Sequence, residues 1–425
     1  MKKGKLLSAT VLILWGALLA FCQEDPLQKV TLPEIVEQAV ERNPRIRAAY
    51  QEWQAALEKI PQAESLPDPM LGYSHFGQSV ETRLGPQRNK ISLSQKIPFF
   101  GKLSLRGKIA QQGASMLQER YNRVKDEVIL KAKEFYFSLY WFDKVLAISQ
   151  QEKEVLERLS HIAQKKYETG TANQQDVLKA QLEISKVKDK ILNLNQGRRA
   201  VAASLNSLLD RPPHSLVGKV REPQLPEFKI KIDRLYQIAE EKKPELKEVR
   251  HLIAQSEESL KLAKKNYYPD FTFMVDYIDI GGGTTSMAED GRNAWMGSVG
   301  INIPLWRKKL QASQAEAELK LEASREKYNQ VKNMTLSEVN ELYHEVKTAA
   351  EQIDLYQYSL LPQAEQSFKA SEVGYLAGKV DFLNLLDSER MVLLIKTGYY
   401  KTVSDYGKSL ARLERSVGEK IEHME

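Results

Sequence analysis

The chain has 425 residues, of which 42% are hydrophobic and 28% charged, with 22 glycines, 16 prolines and a formal charge of +6. Lys2, Lys3 and Lys5 belong to an N-terminal leader, and without them the charge is about +3. That balance, with no basic cluster interleaved with aromatics, excludes a nucleic-acid-binding surface and suits long amphipathic helices better than a compact mixed fold.

The three lysines precede an apolar stretch at residues 6–21 and a small-residue boundary at Ala20-Phe21-Cys22, the three parts of a secretory signal over residues 1–22. The stretch is short for a membrane span, and no later apolar run approaches spanning length, so entry into a membrane requires a barrel. Cys22 is the only cysteine, which rules out an intramolecular disulfide. Two readings of it stay open. Leu19-Ala20-Phe21-Cys22 resembles a lipoprotein box, although Phe21 is bulky for it, and ordinary cleavage after Cys22 is the alternative.

Thr31-Leu32-Pro33-Glu34 predicts a capped helix start, and Pro44 and Pro244 each open a further helix, running to about Ser65 and Asn266. Both end before a Pro-Asp pair, Pro67-Asp68 and Pro269-Asp270. The period then changes from 3.6 to 2. Phe271, Phe273, Val275 and Tyr277 alternate with Thr272, Met274 and Asp276; Ile91, Leu93 and Ile97 alternate with polar residues; Val299, Ile301 and Ile303 follow the same rule. Each half thus carries one hairpin whose strands are long enough to cross a bilayer when tilted. Gly281-Gly282-Gly283 follows a strand but opens no helix, so it reads as a loop and not as a phosphate cradle.

Between Phe99 and Arg211 there is no proline, and residues 103–168 predict one helix of about 100 Å. Its counterpart at residues 310–376 contains Pro362, which predicts a local kink. After Tyr167-Glu168-Thr169-Gly170 and Tyr375-Leu376-Ala377-Gly378, new helices begin, with Asn173 and Asp381 as candidate caps. Their seams, Val177, Ala180, Ile184, Val187, Ile191 in one and Leu385, Ser388, Val392, Ile395, Tyr399 in the other, have the 3-4 spacing of a coiled coil.

These matches recur at an offset that grows only from about 200 to 208 residues, so the chain is written twice. The organisation is a signal peptide at 1–22, a first repeat at 23–213, a proline-rich linker at 214–230 and a second repeat at 231–425. Four strands cannot close a barrel, whereas three copies supply twelve and remove every sheet edge.

The Tyr-x-x-Gly segments at 167–178 and 375–387, occurring twice at matched positions, resemble those of the outer-membrane efflux family, the TolC-like exit ducts of Gram-negative bacteria. Ser94-Gln95-Lys96-Ile97-Pro98-Phe99-Phe100-Gly101-Lys102-Leu103 is similar to the strand-to-helix junction of its heavy-metal branch, the CusC- and CzcC-like channels. The resemblance covers essentially all of the mature chain. It implies an α+β membrane protein in which duplicated long helical hairpins form a periplasmic tunnel and four strands per protomer join a trimeric twelve-stranded β-barrel in the outer membrane. It also implies a homotrimer that works with a periplasmic adaptor and an inner-membrane pump of the RND type, carrying metal cations or, alternatively, drugs.

Carried over residue by residue, the resemblance assigns adaptor contact to Gly170, Thr171, Gly378 and Lys379. It assigns the periplasmic gate to Asp176, Tyr375, Asn384 and Asp387. The chain departs from the family pattern at Val380, where an arginine is common, and at Asn384, where an aspartate is. Phe99, Phe100, Tyr267, Tyr268 and Trp306 are expected to form an aromatic girdle at the membrane boundary. Met70, Met274 and Met296 are expected to face lipid or pack in the wall. The six histidines are scattered with no metal-ligand spacing, no catalytic constellation stands out, and neither enzyme activity nor a cofactor is expected. The rival reading is a periplasmic coiled-coil adaptor or scaffold.

Overall fold

Helix α1 (Leu32–Arg42) starts where the Thr31 N–H is taken by the Glu34 carboxylate at 2.9 Å. The computed structural model describes residues 29–283, 286 and 288–421, so the leader and Cys22 lie outside the described residues. Asn43 then caps α2 (Pro44–Leu57), accepting from the Arg45 N–H at 2.9 Å, while its own amide reaches back to the Leu208 carbonyl. The helix expected to run to Ser65 is interrupted at Glu58. Pro61 supplies no N–H for the Leu57 carbonyl, so the chain restarts as the one-turn helix α3 (Lys59–Glu64).

The strands are β1 (Met70–His75), the two-residue β2 (Glu81–Thr82) and β3 (Gly85–Ile97) in the first repeat, with β4 (Phe271–Ile280) and β5 (Ala294–Ile301) in the second. They pair antiparallel in the order β1-β3-β4-β5, with β2 folding onto β3 in the loop. The β3–β4 pairing, with Leu93 opposite Val275, joins the repeats into one sheet. Both β1 and β5 are left with an open edge. Residues sharing a rung share a face, so Leu71, Leu93, Val275 and Gly297 point one way and Met70, Ser94, Met274 and Ser298 the other. The first face is apolar yet exposed: Leu71 and Trp295 are more than three-quarters accessible in the single chain.

Helix α4 (Lys102–Glu168) runs unbroken for 67 residues, about 100 Å, and returns through α5 (Gln174–Leu208). In the second repeat, α6 (Ile232–Lys242) and α7 (Pro244–Lys265) precede β4, and α8 (Arg307–Leu355) leads toward the tip. The kink expected at Pro362 takes the form of a π-helical turn, Tyr356–Leu360, before α9 (Leu361–Leu376). Leu361 N–H donates to the Tyr356 carbonyl five residues back, so the ladder is carried past the missing proline donor. Helix α10 (Phe382–Val417) closes the fold. No helix among the described residues is long and apolar enough to cross a membrane.

Two equatorial cores repeat the duplication. Ile35 and Ala39 anchor one around α4, and Leu235 and Ala239, at an offset of 200, anchor the other around α8 and α10. The linker is stapled to the outside by tyrosines. Tyr136 donates to the Arg221 carbonyl and Tyr406 to the Pro226 carbonyl, both at 2.6 Å, and Val30 pairs with Val220 as a parallel bridge.

Candidate functional site

The two reversals at the far end of the hairpins are built alike. Thr171 N–H donates to the Lys166 carbonyl and Lys379 N–H to the Gly374 carbonyl, each at 2.8 Å, while Gly170 and Gly378 donate to the carbonyls of Tyr167 and Tyr375. This doubled closure is a Schellman motif, which requires a left-handed residue just past the helix. Gly170 and Gly378 supply it with φ of +72°. A Cβ at either would meet nothing within 4 Å, so backbone conformation and not packing demands glycine. All four expected adaptor-contact residues therefore sit on the exposed tips. Of the candidate caps, Asp381 accepts from the Asn384 N–H at 2.8 Å, whereas Asn173 occupies the cap position without a side-chain bond.

The tips differ in what they bury. Tyr167 is exposed, but its repeat partner Tyr375 packs inside the protomer at 5.4 Å from the Phe382 ring, in a cluster with Leu156, Leu159, Ala180 and Leu385. Its hydroxyl is buried without a hydrogen-bond partner. Burial, and then the nearby Asp176 carboxylate, push the Tyr375 phenol upward from its ordinary pKa. Asp176 is raised in turn, first by burial, with Lys179 opposing and Asp381 adding. The structure thus brings Tyr375 and Asp176 close without a hydrogen bond between them. Asn384 and Asp387 lie exposed on α10, one turn apart. Val380 folds its side chain over Gly374.

Sequence reasoning missed Arg390. Its guanidinium forks between Glu183 of α5 at 2.6 Å and Asp387 at 3.2 Å, an ionic tie within the protomer ten residues beyond Val380. It also missed Glu389, which the structure buries.

At the other end, Asp270 rivets strand to helix. Its carboxylate accepts from the buried Lys102 ammonium at 2.8 Å and the Phe99 N–H at 3.0 Å, with Lys96 at 3.3 Å. Phe99 stacks on Tyr268 at 4.7 Å, and Phe100, Tyr268 and Trp306 are exposed at this junction. On the sheet, strand parity puts Met70, Met274 and Met296 on the face opposite the apolar one, together with the Lys90–Asp276 pair at 3.0 Å. Of the two expectations for these methionines, lipid contact or packing in the wall, alternation sets them on the polar side of the sheet. Among the described residues, no group of three or more His, Cys, Asp or Glu could hold a metal ion.

A sheet with one exposed apolar face, joined by riveted corners to hairpins of about 100 Å, defines an outer-membrane channel with a helical extension. Consistent with that class, the profile of the family described as "Outer membrane efflux protein" matches residues 35–211 and 235–419. The chain belongs to this family, whose members form trimers in tripartite efflux systems. It is similar to the cobalt-zinc-cadmium resistance protein CzcC of Cupriavidus metallidurans, at 20% identity over 92% of this chain and 90% of that protein. It is also similar to the outer membrane protein TolC of Salmonella enteritidis, at 22% identity over 85% of this chain and 76% of that one. Among solved structures, it shares the fold of CusC (TM-score 0.75, 18% identity, 91% and 92% covered). VceC of Vibrio cholerae shares it too (TM-score 0.76, 16% identity, 92% and 96% covered).

Proposed function

We propose that this chain assembles as a homotrimer into a passive exit duct, and that its cargo is metal cations. The observation that carries the duct is the four-stranded sheet with an exposed apolar face and two open edges. Backbone groups at such edges are tolerated in a bilayer only when a closed barrel pairs them. In the assembled system the tips at Gly170, Thr171, Gly378 and Lys379 engage a periplasmic adaptor, and an inner-membrane pump of the RND type supplies the energy. Asp176, Tyr375, Asn384 and Asp387 lie at the entrance the tips would close.

Three things support a metal cargo over drugs: the junction at residues 94–103, the similarity to a cobalt-zinc-cadmium resistance protein, and thioethers on the polar face of the sheet, which suit soft cations. Deleting the gene and measuring tolerance to copper, silver, cobalt and zinc beside a drug panel separates the two. Lost metal tolerance restored by the gene is expected; unchanged metal tolerance with altered drug sensitivity reverses the cargo. A stable monomer in detergent would overturn the duct.

A further inference from the structure

The seam between the hairpin α4/α5 and the hairpin α9/α10 carries a carboxyl with no ionic partner. Glu389 of α10 is only 4% exposed. It faces Glu152 of α4 together with Glu183 and Lys190 of α5, beside its own neighbour Arg390. The cations of this seam are already engaged: Lys190 holds Glu152 at 3.2 Å, and Arg390 holds Glu183 and Asp387. From α9 comes Phe368, packed on the same cluster. That helix's carboxylates Glu365 and Glu372 are tied to Lys396 and Arg158, at 2.8 and 3.1 Å. No hydrogen bond or ion pair reaches Glu389 from any described residue. An ionised carboxylate buried without a partner is strongly penalised, so the packed seam favours the neutral acid.

We propose that Glu389 is the proton-bearing element of a clasp between the two hairpins, holding the periplasmic entrance shut while protonated and releasing it on ionisation. The proposal rests on the reading of the chain as a duct. Burial first, and then the negative charge of Glu152, raise the carboxyl from the ordinary 4.5 to about 8 in the packed seam. In a parted seam, open to water, it returns toward its ordinary value. The packed seam is therefore fully favoured below about pH 4.5, and that preference is lost as pH rises to about 8. Across this window the ratio of open to closed rises by up to about tenfold per pH unit for each protomer. Asp126 is raised to about 6 and titrates in part of the same range, so the share of any rise that belongs to Glu389 is the share that its glutamine variant removes.

Purified trimers in planar lipid bilayers test this by single-channel open probability between pH 5.5 and 8.5. The parent channel is expected to open progressively over that range, and Glu389→Gln, which mimics the neutral acid, to stay at its low-pH level throughout. Glu152→Gln is a second variant. It removes the neighbouring charge and frees Lys190 for Glu389, so opening should saturate at a lower pH than in the parent. Pores whose open probability does not vary with pH, or a Glu389→Gln channel that keeps the parent's rise, would overturn the clasp and leave the duct standing. Folded trimers that form no pore at any pH would overturn the duct, and the clasp with it.

Discussion

Lys166 of the first repeat donates to the Tyr375 carbonyl of the second at 2.6 Å, and its ammonium lies 4.5 Å from the centroid of the Tyr375 ring. One lysine thus ties the α4 end to the α9 end where the two reversals meet. Its repeat equivalent is Gly374, so the tie has no counterpart on the other side. A charged hydrogen bond and a cation–π contact together are worth about 2 kcal/mol at a half-exposed site. Lys166→Met keeps the aliphatic stem and removes both. It should raise single-channel open probability in planar bilayers, whereas Lys166→Arg should stay near the parent. Tyr375→Phe removes only a hydroxyl that has no partner, so within the protomer it should stabilise the tip slightly. A large rise in conductance from Tyr375→Phe would instead point to a hydroxyl contact across the trimer.

Asp270 should be the most sensitive position at the membrane boundary. Removing it strands the buried Lys102 ammonium, and breaking such a pair costs about 3–5 kcal/mol. Asp270→Ala should therefore lower trimer melting in detergent sharply. The double variant Asp270→Ala with Lys102→Met should recover much of the loss, because no charge is left buried. A single variant that melts like the parent would remove the rivet's energetic role.

The tip glycines test conformation against packing. Ala at Gly170 or Gly378 meets no atom, so its penalty is the left-handed backbone alone, about 1 kcal/mol. Asparagine tolerates that region better and should cost less. The expected order in tip stability, followed by protease nicking at residues 168–174 and 376–382, is Gly, then Asn, then Ala. An order set by side-chain volume would contradict it.

Asp126 of α4 gives stability a pH dependence. Burial first, then the nearby Glu245 carboxylate, raise it from 3.8 to about 6. A raised carboxyl contributes stability that is present below pH 3.8 and lost as pH rises through about 6. Asp126→Asn should stabilise the trimer at pH 7–8, by at most about 3 kcal/mol, and change little at pH 4. Equal effects at both pH values would mean that its titration is not the cause.

Much of this was legible because burial follows simple periods. Phe271, Phe273, Val275 and Tyr277 announce a one-sided strand, and the rung opposite Leu93 lands where that alternation requires. The tips were legible because Schellman closure needs glycine at a fixed place, and two glycines occupy it. Glu389 was harder, since a helical glutamate ordinarily reads as solvated. Its spacing, four residues after Leu385 and three before Val392, is the seam's own and was the available signal. The unequal fates of Tyr167 and Tyr375 were not legible, because they depend on which hairpin lies against which. Pro362 signalled a disturbance, but only the neighbouring backbone decided that a π turn would absorb it.

The position of Val30 bears on the two readings of Cys22. Val30 pairs with Val220, whose N–H is held by the Asp143 carboxylate at 3.1 Å. Asp143 lies 41 residues along α4 from Lys102, so at 1.5 Å per residue this point is about 60 Å from the barrel junction. Val30 lies eight residue steps beyond Cys22, and a fully extended chain of that length reaches about 29 Å at most. With the Val30–Val220 bridge formed, that reach is shorter than the distance to the barrel junction, which argues for cleavage over acylation. Cleavage after Cys22 is therefore the expected processing. Intact-mass measurement of the purified protein should give a chain beginning at Gln23 without lipid, and Cys22→Ser should fractionate with the outer membrane as the parent does. A diacylglycerol adduct on Cys22 in folded trimers would mean that the bridge at Val30 does not form in the cell.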